Sequence, residues 1–239
     1  MKSQKRRDAS AGKAAREPRR RWYQDACGTA LALELVGERW ALLIIRELMF
    51  GPRRFGDIRG ALPGLSANIL TQRLEGLEKS GILVRRSLPS PASMSVYALT
   101  PWGLEAEAML QVMGRWAVRS PDHDLDLGLS AASLMMSLRT MHDPALAADL
   151  DIGLGFRMGE DSFVARYDRH GIEIRRGPIA CVEVAFIGAP AAIAGAIYGG
   201  ALLTLEAEGA LAIEGDRALA LTLAGRFPLP AKWTAADAD

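Results

Sequence analysis

The sequence predicts an α+β protein in two parts: a helix-rich first half closed by a β-hairpin, and a second half built on a mostly antiparallel sheet. Three observations predict it. A chain of 239 residues with 49% hydrophobic and 24% charged side chains is long enough for two modest domains, each with its own core. The apolar spacing is helical up to about residue 80 and strand-like for much of 150–190. The formal net charge of +1 conceals a split. Residues 1–120 hold 20 Lys/Arg against 11 Asp/Glu, and residues 121–239 hold 9 against 17. One half therefore suits a polyanion and the other does not.

Residues 1–21 carry nine basic and two acidic side chains with little apolar content, which predicts a disordered basic arm. Such an arm is able to touch DNA phosphates or simply to be a solvated tail. Cys27 begins a short helix with Leu31, Leu33, Leu35 and Val36, closed by Gly37. A second helix spans about Glu38 to Met49, with Trp40, Leu43, Ile44 and Leu48 expected on its buried side, and Gly51-Pro52 stops it. A third covers about Phe55 to Ala61 before Pro63-Gly64. Ser66 then stands at an N-cap before Ala67–Lys79, whose apolar stripe is Ile69, Leu70, Leu74 and Leu77.

Ile82–Arg86 reads as a strand, 89–93 as a Pro/Ser turn, and Ser95–Leu99 as the returning strand. Thr100-Pro101 starts a helix that runs to about Val118 on Leu104, Met109, Leu110, Met113 and Trp116. This order is a winged helix-turn-helix over 22–120. Residues 121–128 form an acidic linker. The domain 129–230 opens with a helix at Leu129–Met141 and continues with strands near 151–158, 161–168, 171–176 and 181–187. A helix at Ala189–Tyr198, a strand at Leu211–Glu214 and a helix at 217–224 complete it, and 231–239 is a loose tail.

A helix that reads DNA must offer short polar and basic side chains to base edges, with flanking groups on phosphates. The helix after Ser66 offers Ser66, Asn68, Thr71, Gln72 and Arg73. Asn and Gln pair with adenine, Arg with guanine, and a Thr methyl touches thymine. Arg53 and Arg54 before the third helix, Arg85 and Arg86 beside the wing, and Ser90 and Ser93 in its turn are the expected phosphate contacts. Taken alone, each is an ordinary solvated residue.

Residues 27–118 resemble the HxlR family of bacterial winged-helix transcription regulators. The resemblance rests on Cys27 with Trp40 thirteen residues on, LLIIREL (42–48), GPRRFGDIRGALPGLS (51–66), LTQRLEGLEKSGILVRR (70–86) and YALTPWG (97–103). It implies a homodimer joined by terminal helices and reading a pseudo-palindromic double-stranded operator. Two positions depart from the family pattern. Asn68 replaces a customary basic residue, and Ala92-Ser93-Met94-Ser95 replaces a Pro-Pro-Arg-like wing tip. The basic arm is the candidate substitute for a wing arginine. Cys27 lies where oxidant-sensing members of the family keep a reactive thiol, which makes a redox role one alternative.

Residues 129–230 resemble the sterol-carrier-protein type 2 fold through LMMSLRTMHDP (134–144), VEVAFIGAPAAIAGAIYGG (182–200) and GALAIEGDRALALTLAGRFPLP (209–230). That implies a pocket for an apolar or amphipathic effector. Its candidate walls are Met135, Met136, Leu138, Met141, Phe156, Phe163, Phe186, Ile193, Ile197, Tyr198 and Leu202. Met and aromatic side chains at these spacings are more often plain core. Arg139, Arg157 and Arg166 are candidate anchors for a carboxylate.

No catalytic constellation emerges. His123, His142 and His170 are scattered without zinc spacing, and Gly153, Gly155 and Gly159 miss the dinucleotide fingerprint. The expectation is a non-enzyme with no cofactor and no metal. No apolar run reaches the roughly 18 residues of a membrane span, and the charged start has no apolar stretch behind it. Two cysteines, Cys27 and Cys181, make no disulfide framework, so a cytoplasmic setting without membrane contact is expected. The predicted function is a ligand-controlled transcription regulator, most simply a repressor. A lipid or acyl-CoA carrier whose winged helix only dimerises, and a thiol-based regulator acting through Cys27, are the alternatives.

Overall fold

The computed structural model describes residues 23–88 and 94–234. The expected basic arm, the wing-tip turn with Ser90 and Ser93, and the final five residues lie outside them.

Helix α1 (Gly28–Val36) ends where the Gly37 N–H donates to Leu33 O at 2.9 Å. Helix α2 (Ala41–Leu48) starts later than its spacing suggests, because Trp40 holds the left-handed region at φ 79° and cannot continue a right-handed turn. Its buried side is Ala41, Ile44, Ile45 and Leu48; Leu43, expected there, is exposed and Trp40 is half-buried. Helix α3 (Phe55–Ala61) has the expected bounds, and α4 (Ala67–Ser80) starts on Ser66, whose Oγ accepts from Ile69 N at 3.3 Å. Leu70, Leu74 and Leu77 fix α4 in the core, and Gly81 at φ 80° ends it.

Strands β1 (Leu83–Leu88) and β2 (Met94–Leu99) pair antiparallel from Leu83 opposite Leu99. Arg53 and Tyr97 exchange both main-chain hydrogen bonds, at 3.0 and 2.8 Å, so the segment before α3 lies against the wing. Thr100 then caps α5 (Pro101–Leu104), accepting from Gly103 N at 3.0 Å. A break at Glu105 separates α5 from α6 (Ala106–Ala117). Of the apolar stripe expected to bury α6, Met109 and Leu110 pack against the core. Leu104, Met113 and Trp116 face outward, as does Val112, with Trp116 76% exposed.

In the second half, Ser130 caps α7 (Ala131–Thr140), accepting from Ser133 N at 3.0 Å. A five-stranded sheet follows in the order β5-β4-β3-β6-β7. Strands β3 (Asp151–Met158), β4 (Asp161–Asp168) and β5 (Gly171–Arg176) make an antiparallel meander with the expected bounds. Strand β6 (Val184–Gly188) then returns parallel to β3, and β7 (Leu211–Gly215) pairs antiparallel with β6. The return passes over glycine. A Cβ on Gly155 would sit 2.7 Å from Ile179 Cγ2, and one on Gly153 would sit 3.3 Å from Val182 Cα. Helices α8 (Pro190–Gly199), α9 (Leu202–Ala207) and α10 (Arg217–Leu223) complete the fold. The sequence reading had no helix at α9.

The two halves share one continuous apolar cluster, running from Ile44, Ile45 and Phe50 to Phe163, Phe156 and Ile193. Phe50 meets Phe163 edge-on. Glu47, fully buried in α2, accepts from Ser130 Oγ at 2.6 Å and from Arg46 at 3.0 Å. The segment 231–234, expected to be loose, is tied back: Trp233 N donates to Arg119 O at 2.7 Å and Lys232 Nζ to Ser120 O at 2.9 Å. No helix among the described residues is long and apolar enough to cross a membrane.

Candidate nucleic-acid interface

The N-terminal face of α4 presents polar side chains to solvent. Burial of Leu70, Leu74 and Leu77 turns the opposite side out, so Ser66, Asn68, Thr71 and Gln72 are all exposed. Thr71 Oγ1 donates to Ala67 O at 3.0 Å, which uses its hydroxyl proton inside the helix and leaves its methyl as the apolar contact. Glu75, which the sequence reading passed over, is also exposed and lies on the same face, three and four residues after Gln72 and Thr71. A carboxylate there suits the cytosine amino group. Helical spacing is the signal that places Glu75 beside Thr71 and Gln72.

Two expected DNA contacts are placed otherwise. Arg73 points across the flank of α4, donating from Nε to Arg39 O at 3.1 Å and from Nη2 to Glu38 at 2.7 Å. It braces the α1–α2 connection because position 73 lies about a quarter-turn round the helix from Gln72. Arg53 turns toward the second half, with Nη1 3.2 Å from both Asp161 oxygens and its side chain 10% exposed. Arg54 and Arg86 are exposed. Arg85 is also exposed, donating to Ser95 Oγ at 3.2 Å with its guanidinium 6.0 Å from the Tyr97 ring centre. These three remain placed along the start of α3 and the wing.

The expected effector walls come together, but as packed core. Met135, Leu138, Met141, Phe156, Phe163, Phe186, Ile193, Ile197 and Leu202 are all buried, with Phe156 and Phe186 stacked at 5.8 Å. Tyr198 donates to or accepts from Ser137 Oγ at 2.7 Å, tying α8 to α7, and burial pushes its phenol above the usual range. Two clefts lie elsewhere. A cleft of about 420 Å³ is lined by Glu107, Gln111, Arg139, His142 and the β5 edge, and one of about 330 Å³ runs along Arg166 to Glu173. Neither is lined by any expected wall residue, because complementary apolar side chains close on one another when nothing holds them apart. Of the expected anchors, Arg139 reaches Glu107 at 2.9 Å and Ile174 O at 2.6 Å. Arg157 and Arg166 lie near Glu214 and Asp151 on the surface.

Cys27 is exposed at the start of α1. The Thr29 N–H, then the Thr29 hydroxyl and the Ala30 N–H, hold its thiol below the usual range by stabilising the thiolate. Cys181 is exposed too, at φ 53° in the return toward β6.

A capped helix with an exposed polar face, a hairpin beside it and cations at both define a winged helix-turn-helix DNA-binding protein. The chain belongs to the HxlR-like helix-turn-helix family, which matches residues 35–124. It is 41% identical over 86 residues to the HTH-type transcriptional regulator YodB of Bacillus subtilis, covering 36% of this chain and 77% of that one. It is 35% identical over 86 residues to the uncharacterized regulator YvaP of the same organism, covering 36% of this chain and 80% of that one. The solved reduced form of YodB from B. subtilis is 36% identical, covers 42% of this chain and 99% of its own, and has a TM-score of 0.38.

Proposed function

We propose that this protein is a homodimeric transcription repressor whose second half, a sterol-carrier-like domain, senses an apolar or amphipathic small molecule. The observation that carries the DNA-binding part is the exposed face of α4, with Asn68, Thr71 and Gln72 raised on a Ser66-capped turn. The outward apolar face supports the dimer. Leu31 and Leu33 of α1, and Val112, Met113 and Trp116 of α6, are exposed apolar side chains of the kind a second copy covers. Coupling between the halves is supported by Arg139, which bonds Glu107 of α6 from α7, and by Arg115, which bonds Thr140 O. An effector that enters the Met/Phe core must part α7 from α8, and α7 carries that motion to α6. Differential binding of roughly 1–3 kcal/mol is sufficient for such control.

The experiment is a gel shift of the full chain on its own upstream region, with native mass spectrometry for a co-purified apolar molecule. A sequence-specific, salt-sensitive complex supports the reading. No specific complex with any DNA tried sinks it.

A second reading is favoured by the depressed thiol of Cys27: control by oxidation or electrophile addition at that sulfur. A Cys27→Ser protein that still releases DNA on oxidant treatment removes it.

A further inference from the structure

Asp161 begins β4 and receives two cations. Arg53 places Nη1 3.2 Å from each of its oxygens, and Arg176 bonds Oδ1 from the neighbouring strand β5. The two cations differ in freedom. Arg176 lies with its guanidinium 4.4 Å from the Phe163 ring centre and has Nε and Nη2 buried without hydrogen-bond partners. Arg53 comes from the Gly51-Pro52-Arg53-Arg54 run, and its main chain is pinned to Tyr97 of β2 at the base of the wing. Its neighbours at that corner, Arg54 and Arg85, are exposed, whereas the Arg53 guanidinium is drawn under the second half.

We propose that Asp161, a residue of the second half, is a positioning residue for DNA binding: it stands in for a phosphate and withholds Arg53 from the duplex. The inference rests on the DNA-binding reading above and adds a regulation to it. A carboxylate and a phosphate present the same kind of acceptor to a guanidinium fork, so the two compete for one side chain. Two guanidinium groups sharing one carboxylate leave excess positive charge. When the Asp161 charge is removed, Arg176 and Arg53 repel, and Arg53 stands beside the exposed Arg54 and Arg85 at the base of the wing. The latch is therefore the Asp161 carboxylate, which both cations bond, while the buried Glu47 carboxylate attracts Arg176 from α2. Any effector or distortion that moves β4 away from the wing releases a cation at the DNA-facing corner.

The test is fluorescence anisotropy of the full chain on its upstream DNA between 50 and 200 mM salt, with folding checked by circular dichroism and thermal melting. Asp161→Asn keeps the shape and removes the charge. The expected result is binding tighter by about three- to tenfold at the low-salt end, with a slope of log K against log salt steeper by roughly 0.9 per subunit, one phosphate contact. Arg53→Ala in the wild-type background leaves affinity and slope unchanged, and Asp161→Asn with Arg53→Ala returns both to wild type. Unchanged or weaker binding by a folded Asp161→Asn protein overturns the proposal. So does a flatter slope for Arg53→Ala, which stays decisive if Asp161→Asn does not fold. A wild-type chain that binds no DNA overturns the underlying reading instead, and is recognised by the absence of any complex to compare.

Discussion

Phe50, just after α2, and Phe163, in the middle of β4, meet with ring centroids 5.7 Å apart and planes at 85°. Each belongs to a different half, and Phe163 is fully buried. Edge-to-face pairing adds about 0.5–1.5 kcal/mol to the burial of the rings. Phe163→Ala removes the contact and leaves a cavity in the shared core, so a loss of about 3–5 kcal/mol is expected. Urea unfolding followed by far-ultraviolet dichroism measures it. In the wild-type chain a single cooperative transition is expected, since there is no seam at which one half unfolds alone. Two separate transitions would contradict the shared core.

The α4 face separates two kinds of contact. Gln72→Ala is expected to cost about 1–3 kcal/mol on the cognate operator and almost nothing on unrelated DNA, because it removes base readout. Arg86→Ala is expected to weaken both alike and to lower the salt slope by about one. Ser66→Ala removes the cap on Ile69 N and costs about 1 kcal/mol of stability in denaturant melts, whether or not DNA is present. Equal losses on cognate and unrelated DNA for Gln72→Ala would refute the reading assigned to that residue.

At Cys27 the expected outcome is kinetic. Thiolate is the reacting form, and the Thr29 and Ala30 amides stabilise it. In a Cys181→Ser background, alkylation by iodoacetamide rises with pH and reaches half its plateau below the usual thiol value of about 8.5. Unfolding in guanidinium removes the amide donors and moves the midpoint upward. A midpoint that stays put on unfolding would show that α1 does nothing to the thiol.

Tyrosine titration reports on the closed core of the second half. Burial pushes the Tyr167 phenol up to about 12, and burial raises Tyr198 further still. For a group whose folded value lies above its unfolded value of about 10, the neutral form is the one the fold favours. Its contribution is therefore fully present below pH 10 and is lost as pH rises toward 12. Absorbance at 295 nm is expected to show these two phenols ionising only with unfolding. Tyr198→Phe, which also frees Ser137 Oγ, removes one late step. Early ionisation of both would mean that water already reaches the space between α7 and α8.

Much of this architecture was legible, and the reasons are local. Pro, Gly and capping residues fixed α3 and α4 to within a residue, and alternation with Gly159 and Asp168 turns fixed β3, β4 and β5. What stayed hidden depends on what covers a residue. Leu104, Met113 and Trp116 share one apolar stripe with Met109 and Leu110, yet only the last two pack on the core, since periodicity marks a stripe without naming its cover. Met and Phe write packed core and ligand wall in one alphabet, so the sequence leaves both readings open for Phe156 and Phe186, which stack in the core. Arg53 and Asp161 are 108 residues apart, and no local signal joins them. Its place just before the third helix made Arg53 an expected phosphate contact.

The seam built on Phe50, Glu47 and Arg53 also limits how such a protein is assembled from parts. Grafting the reading half of another regulator onto this second half would leave Phe163, Ser130 and Asp161 facing strangers. Positions 47, 50 and 53 therefore have to travel with 130, 161 and 163 as one inherited set.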